Sequence, residues 1–258
     1  MPMLDSGERY VDEGPKNWEL FYQHTGRYLF AREQVRGKVV LDAACGTGYG
    51  AAILAGAAHL VVGLDHSQEA LSYCRHHHQR SHVHFLQGDC CHVGLRDGAV
   101  DVVVSFETLE HLEDMRSFLH EIRRVLKPGG ILLISTPNRP LYAVYNKGRR
   151  NVYHRLELDE GEFTRLLSEF FAIEAVWGQR HFSKKDLPLV REFAEQEVPV
   201  GPDGLFRRAV RVALRTCLPE GIRSRNWPVA QVWAHKCNIG EVAPSHGVYM
   251  IAKARKPC

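Results

Sequence analysis

The chain lacks most of the features that mark a specialised environment. No apolar run approaches the roughly 18–20 residues needed to cross a bilayer, and residues 1–16 are polar, without the apolar core of a secretory signal. These two absences predict a cytoplasmic protein with no transmembrane segment. Cysteine is sparse: Cys45, Cys74, Cys90, Cys91, Cys217, Cys237 and Cys258 make an odd count of seven, with no C-x-x-C pair. That argues against a disulfide framework and against a cysteine-built zinc site. Charge of one sign is lacking too. With 33 basic and 30 acidic residues the net charge is +3, too small to indicate a nucleic-acid partner by itself. There is no internal repeat and no low-complexity tract.

What is present is an ordinary globular composition over 258 residues, 45% hydrophobic and 24% charged. Residues 17–35 carry Trp18, Phe21, Tyr28, Leu29 and Phe30 in a helical pattern. The chain then alternates. Short apolar runs at 39–41, 60–64, 83–86, 100–106 and 131–135 read as strands, with helical stretches between them. Ser67 is an N-cap candidate, with Glu69 in the turn that follows. Met115, Phe118, Leu119, Ile122, Val125 and Leu126 fall at helical spacing before Pro128-Gly129-Gly130. A helix near 160–170, a strand at 171–177 and a last strand at 247–254 complete the pattern. Near-continuous apolar strands joined by helices predict an α/β fold, a parallel sheet covered on both faces. Residues 179–246 break the rhythm with Pro188, Pro199, Pro202, Pro219, Pro228 and Pro244. The expected organisation is an N-terminal helical cap (1–36), a core (37–178), an insertion or lid (179–246) and the last strand of the core (247–258).

Residues 39–50 read V-V-L-D-A-A-C-G-T-G-Y-G, a glycine-rich turn between a strand and a helix. Gly46, Gly48 and Gly50 allow a tight turn and close approach to a ligand. Alone, such a turn serves a nicotinamide cofactor or a plain connection equally well. Its context discriminates. The first strand ends in Asp42. The second ends in Asp65, where a carboxylate can accept both hydroxyl hydrogens of a ribose. The third leads into Gly88-Asp89, where a second carboxylate can meet an adenine amine.

The glycine loop 42–50, Asp65, Gly88-Asp89, the stretch from Val100 to His111 and Leu126-Lys127-Pro128-Gly129-Gly130 together resemble the class I S-adenosylmethionine (SAM)-dependent methyltransferases. The resemblance covers roughly 38–136. It implies a Rossmann-like, seven-stranded, mostly parallel sheet of order 3-2-1-4-5-7-6. It implies SAM as the cofactor, held by Asp42, Ala44, Gly46 and Gly48 around the methionine part and by Asp65 with its neighbour His66 at the ribose. Asp89 and Cys90 would flank the adenine, with Phe106 at the end of the fourth strand. Gly7-Glu8-Arg9-Tyr10 and His24-x-x-Arg27-Tyr28 are similar to N-terminal features of one bacterial branch, in which this segment folds over the cofactor. That places Arg27 or Arg9 at the SAM carboxylate, although a surface role suits these arginines as well.

Phe106-Glu107-Thr108-Leu109-Glu110-His111 follows the fourth strand. In a helical turn Glu107, Glu110 and His111 stand at i, i+3 and i+4, on one face. Two carboxylates and an imidazole there make half a shell for a divalent cation; the same residues also suit a solvated helix start. Two families of metal-assisted O-methyltransferases carry a similar E-x-x-E-H element. One acts on catechol intermediates of ubiquinone synthesis, the other on the terminal 2′-hydroxyl of small RNAs. The second has a further histidine after an S-T-P-N segment, and here Ser135-Thr136-Pro137-Asn138 is followed by His154. By that resemblance the metal ligands are Glu107, Glu110, His111 and His154, with Mg²⁺ or Mn²⁺ the suited ions. Glu110 and His111 are also the catalytic candidates, with His111 acting as base or as ligand.

A cation that binds a hydroxyl lowers its pKa and fixes it in line with a sulfonium methyl. The expected reaction is therefore O-methylation of a small-molecule catechol, vicinal diol or sugar. An RNA 2′-O-methyltransferase, a non-catalytic SAM-binding module and N- or C-methylation stay open, because the cofactor half of such a fold does not define the acceptor. His76-His77-His78 suits a last helical turn. Arg207, Arg208, Arg211, Arg215, Arg223 and Arg225 form a basic cluster, either a solvated helix face or a surface for an acidic acceptor.

Overall fold

The computed structural model describes residues 18–149, 151–179, 239–242 and 247–258, with side chains described from residue 23 onwards and not for 239–242. The expected roles of Arg9, of the basic cluster at 207–225 and of nearly all the 179–246 insertion lie outside these residues.

Among the described residues eight strands form one sheet: β1 (Val39–Ala43), β2 (Leu60–Asp65), β3 (Val83–Gln87), β4 (Val100–Phe106), β5 (Leu126–Pro137), β6 (Ala172–Gln179), β7 (Ile239–Val242) and β8 (Tyr249–Arg255). Their order is β3-β2-β1-β4-β5-β8-β6-β7. Seven strands take the anticipated order, with β8 as the seventh; the short β7 is an addition at the outer edge. The pairs among β1 to β5 are parallel. β8 runs antiparallel to both β5 and β6, and β7 antiparallel to β6.

The helices are α1 (Trp18–Arg32), α2 (Tyr49–Leu54), α3 (Gln68–His78), α4 (Met115–Val125), α5 (Arg139–Tyr145) and α6 (Glu160–Ser168). None among the described residues is long and apolar enough to cross a membrane.

Side-chain alternation on the strands divides the core into two layers. Val40, Val102, Val104 and Leu133 pack on the face covered by α1, α2 and α3. Leu41, Val103, Leu132 and Ile134 pack on the face covered by α4 and α6. Because both faces are buried, both parities are apolar, which is why the strands read as continuous runs. α4 presents Met115, Phe118, Leu119, Ile122 and Val125 to the second layer. Asp114 caps it by accepting from the amides of Arg116 and Ser117. Ser67 caps α3 as expected, accepting from the Ala70 amide at 3.2 Å.

Three elements differ from the sequence expectation. The Lys127–Gly130 stretch bulges out of β5, so that Val100 pairs with Leu126 and Val102 with Ile131. A Cβ on Gly130 would sit 2.8 Å from the Lys127 carbonyl oxygen. α2 is short, Tyr49–Leu54, and ends before Ala55, Ala57 and Ala58. Helix α5 was not anticipated, since Pro137 and Pro140 look like breakers. Pro140 lies in its first turn, where the missing N–H costs nothing.

Phe118 is fully buried between α4 and the sheet. Phe118→Ala is expected to lower stability by about 3–5 kcal/mol, read as a shifted urea midpoint. A change below about 1 kcal/mol would mean that this layer repacks freely.

Candidate active site

The carboxyl ends of β1, β2 and β4 and the loops that follow them gather the polar side chains the sequence singled out. Asp65 ends β2 nearly buried, and both of its oxygens hold backbone. Oδ2 accepts from the Gly46 amide and Oδ1 from the Ser67 amide, each at 2.9 Å. The carboxylate thus ties the glycine loop to the start of α3. Ala44, Gly46 and Gly48 all have positive φ (63°, 55° and 77°). A Cβ on Gly46 would meet nothing within 4 Å, so its Cα faces open space. A Cβ on Gly48 would lie 2.7 Å from Cys74 Sγ, so that position admits only glycine on both conformational and steric grounds.

Asp42, one residue before the end of β1, is fully buried. Tyr28 of α1 donates its hydroxyl to Oδ1 at 3.0 Å, and Oδ2 has no hydrogen-bond partner. Burial pushes the Asp42 carboxyl up to about 7, against the opposing pull of the Tyr28 hydroxyl. Tyr28 is held edge-on between Tyr49 and Phe106, with ring centroids 5.4 and 5.1 Å away. Its ring lies so close to Gly50 that a Cβ there would come within 2.1 Å of it. The sequence places Tyr28 in a helical pattern and in the His24-x-x-Arg27-Tyr28 element; its contact with Asp42 has no sequence signal.

Arg27, one residue earlier, is fully buried. Its Nη1 donates to Gln179 Oε1 at 2.8 Å and lies 3.7 Å from Glu107 Oε1. The guanidinium carbon sits 4.7 Å from the Tyr249 ring centre. Nε and Nη2 have no hydrogen-bond partner. Gln179 and Tyr249, on the paired strands β6 and β8, were not among the sequence candidates.

The E-x-x-E-H element departs from the expected geometry. Glu107 does not open a helix. Its φ of 54° turns the chain out of β4, and only Leu109–His111 form a 3-10 turn. Glu107 therefore leaves the common face and points to Ser135, whose hydroxyl donates to Glu107 Oε1 at 2.6 Å. Glu110, His111 and His154 do converge, with ligand atoms within 4.8 Å of one another, and Glu107 stands outside that group. Glu110 is fully buried. Thr136 donates to Oε2 at 3.1 Å, and Oε1 has no partner. Burial, then the nearby Glu107, pushes its carboxyl well above the usual range.

Both histidines are oriented from behind. His111 Nδ1 lies 3.1 Å from the Tyr153 carbonyl oxygen. A carbonyl only accepts, so Nδ1 carries a proton, and Nε2 lies 3.9 Å from Glu110 Oε1. His154 Nδ1 donates to Glu157 Oε1 at 2.7 Å, and its Nε2 accepts from the Asn151 amide at 2.9 Å. An anchored Nδ1 is the arrangement metal-ligating histidines use. Glu157 and Asn151 escaped sequence reading, because their role exists only once the loop 146–159 folds back on β5.

Asp89 is exposed. It accepts from the Cys91 amide at 2.8 Å and faces His92 Nδ1 at 3.2 Å, contacts that hold its carboxyl below the usual range. Burial pushes the adjacent Cys90 thiol up to about 12. His66 is exposed on the rim, its Nδ1 3.6 Å from Asp65 Oδ1.

The raised Asp42 pKa has a definite sign. Between the ordinary aspartate value of 3.8 and about 7 the folded state holds a proton that the unfolded state has lost. The group therefore costs stability that grows as pH rises through that window. Asp42→Asn, in ligand-free protein, is expected to raise Tm by about a few degrees at pH 8 and to have little effect at pH 4. An equal shift at both pH values would disprove the buried-carboxyl origin.

A family model described as "Methyltransferase domain" matches residues 41–134, the segment that carries the glycine loop, Asp65, Asp89 and the 3-10 turn. A relative from Mycolicibacterium smegmatis, named a probable S-adenosylmethionine-dependent methyltransferase, is 36% identical over 177 residues, 68% of this chain and 68% of its own length. A ubiquinone biosynthesis O-methyltransferase of Thiobacillus denitrificans is 36% identical over 116 residues, 44% of this chain and 50% of that one. Among solved structures, the N-methyltransferase NodS from Bradyrhizobium japonicum in complex with S-adenosyl-L-homocysteine is similar in fold. Its TM-score is 0.57 at 15% identity, over 94% of this chain and 90% of that one. With the cofactor-type loop, the strand-end acids and this kinship in agreement, the chain belongs to the S-adenosylmethionine-dependent methyltransferases.

Proposed function

We propose that the chain methylates a hydroxyl oxygen of a small-molecule acceptor, with a divalent cation held by Glu110, His111 and His154. The observation that carries this reading is the orphaned Glu110 Oε1, buried without a hydrogen bond among the described residues and 3.9 Å from His111 Nε2. A buried carboxylate with an open oxygen beside two oriented imidazoles suits a hard divalent ion, Mg²⁺ or Mn²⁺. At His154 such an ion would replace the Asn151 amide. Glu107, the fourth ligand suggested by sequence, is occupied by Ser135 and Arg27, and its part is to keep Arg27 in place. Kinship with an O-methyltransferase of ubiquinone biosynthesis favours an oxygen acceptor.

The residues around the glycine loop suit SAM. Asp65, fixed by two amides, stands at the end of β2 where a ribose would lie. Asp42 Oδ2 is an open acceptor for an ammonium. Arg27 Nε and Nη2 are open donors for a carboxylate, and the bare Cα of Gly46 leaves room for the ligand chain. Ala44, Gly48 and Phe106 shape the loop and its floor, while Asp89, Cys90 and His66 edge the adenosine end. When bound, SAM supplies an electrophilic methyl and the cation lowers the pKa of the acceptor hydroxyl. The chain's own work is to orient. Tyr28 fixes Asp42, Gln179 fixes Arg27, and Tyr153 fixes His111 so that Nε2 receives either the cation or the acceptor's proton.

Calorimetric titration of metal-free protein with Mg²⁺ and Mn²⁺, with S-adenosylhomocysteine present, tests the cation. Wild type is expected to bind, and Glu110→Gln/His154→Gln to bind at least about tenfold more weakly with unchanged S-adenosylhomocysteine affinity. No metal binding by wild type, or binding retained in the variant, sinks the metal-assisted reading. Arg27→Met is expected to weaken S-adenosylhomocysteine by about tenfold or more, the worth of hydrogen bonds to a charged group. Unchanged affinity would remove Arg27 from the cofactor site.

A further inference from the structure

The apolar surface of this molecule is concentrated in one place. Apart from Leu86, every large apolar side chain exposed among the described residues falls between 144 and 156: Val144, Tyr145, Val152, Tyr153 and Leu156. Val144 is 75% and Val152 85% exposed. They sit on the end of α5 and on the loop that returns towards His154. The charge of the same stretch is one-sided. Residues 139–156 contain Arg139, Lys147, Arg149, Arg150 and Arg155 and no aspartate or glutamate. Arg139 pairs with Asp159 and Glu162, and Arg155 with Glu113. Lys147 and Arg149 are exposed and make no ion pair among the described residues.

This face adjoins the candidate active site. A cavity of ≈ 300 Å³ is lined by His154 and Tyr142 on its inner side and by Arg149, Arg155 and Leu156 on its outer side. A second, of ≈ 550 Å³, opens between Tyr142, Tyr145, Lys147 and Arg149. Tyr142 stacks on His154 with ring centroids 5.3 Å apart and meets Tyr249 at 6.0 Å. A row of rings thus runs from Tyr145 through Tyr142, 6.3 Å away, to the buried Tyr249 against Arg27.

We propose that the face formed by residues 144–156 docks on an anionic membrane surface and so admits an acceptor with a lipid tail to the cavity beside His154. Isolated apolar side chains on a surface are ordinary; a cluster of them beside two cations, Lys147 and Arg149, that make no ion pair among the described residues is not. Aliphatic residues that enter the headgroup region, tyrosines at its boundary and lysine or arginine against anionic headgroups are the elements of interfacial binding. A second copy of the chain fits less well, since a two-fold contact would bring the same basic face together from both copies. An RNA backbone would satisfy the cations but leave Val144, Val152 and Leu156 without apolar partners. The docking rests on the patch alone; only the class of acceptor rests on the proposed methyl transfer.

Co-sedimentation of the full chain with vesicles tests the docking. One set is phosphatidylcholine alone, the other phosphatidylcholine mixed with phosphatidylglycerol. Wild type is expected to bind the anionic vesicles and to release them as salt rises. Val144→Glu/Val152→Glu and Lys147→Glu/Arg149→Glu are each expected to lose at least about tenfold in vesicle affinity. All four side chains are exposed, and calorimetry with S-adenosylhomocysteine checks that each variant keeps its cofactor half. The proposal is overturned by failure of wild type to bind anionic vesicles or by variants that bind as well as wild type. It is equally overturned if light scattering shows a self-association that Val144→Glu/Val152→Glu abolishes, which would make the face an interface between copies. Absence of S-adenosylhomocysteine binding with vesicle binding intact would count against the cofactor reading alone.

Discussion

The Asp65 carboxylate is the constraint on which the cofactor side of this protein depends. Its two oxygens are committed to the amides of Gly46 and Ser67, so one side chain at the end of β2 fixes the glycine loop after β1 and the first turn of α3 together. The loop can accept this only because Gly48 adopts a left-handed conformation against Cys74 and Phe85, where a Cβ has no room. Around that tie the sheet brings its other carboxyl ends into line, since parallel strands place every such end on one edge. Asp42, Glu107, Glu110 and Ser135 meet there for the same geometric reason.

The same edge holds several buried polar groups that the protein leaves unfinished. Asp42 Oδ2, Glu110 Oε1 and two nitrogens of Arg27 lack hydrogen-bond partners, although almost all such groups in a folded interior find one. Each costs about 1–3 kcal/mol in the free protein. They are an open carboxylate oxygen, an open guanidinium, and a second acid beside two oriented imidazoles. The surrounding structure holds each in place through partners that have no chemistry of their own. Tyr28, Gln179, Tyr153 and Glu157 fill that part, and they come from α1, β6 and the loop after α5. The free protein thus keeps its site rigid at the expense of stability that a bound ligand can restore.

Much of this was legible from sequence. Both-face burial makes the strands continuous apolar runs, so their number, spacing and approximate limits show in one dimension. The Ser67 cap and the apolar stripe of α4 were readable because they depend on neighbours within a few residues. Where the reading went astray, a non-local contact decided. Glu107 shares the i, i+3, i+4 spacing with Glu110 and His111, but the chain crosses φ = 54° there and the side chain turns to Ser135 on the adjacent strand. Helix α5 was hidden by two prolines, of which Pro140 falls where a helix tolerates it. Strand β7 owes its existence to the exposed edge of β6.

The sequence alone determined the type of fold, the glycine loop, the strand-end acids and hence membership among the SAM-dependent methyltransferases, because those features rest on local backbone conformation and on periodic burial. Only the tertiary structure decided which of the candidate side chains meet. It separated Glu107 from the Glu110–His111–His154 group. It buried Arg27 against Gln179, and it brought the apolar and basic face of 144–156 to the mouth of the site. Those outcomes depend on residues dozens to more than a hundred positions apart, such as Arg27 and Gln179 or His111 and Tyr153, which only the packing of the sheet brings within hydrogen-bond reach.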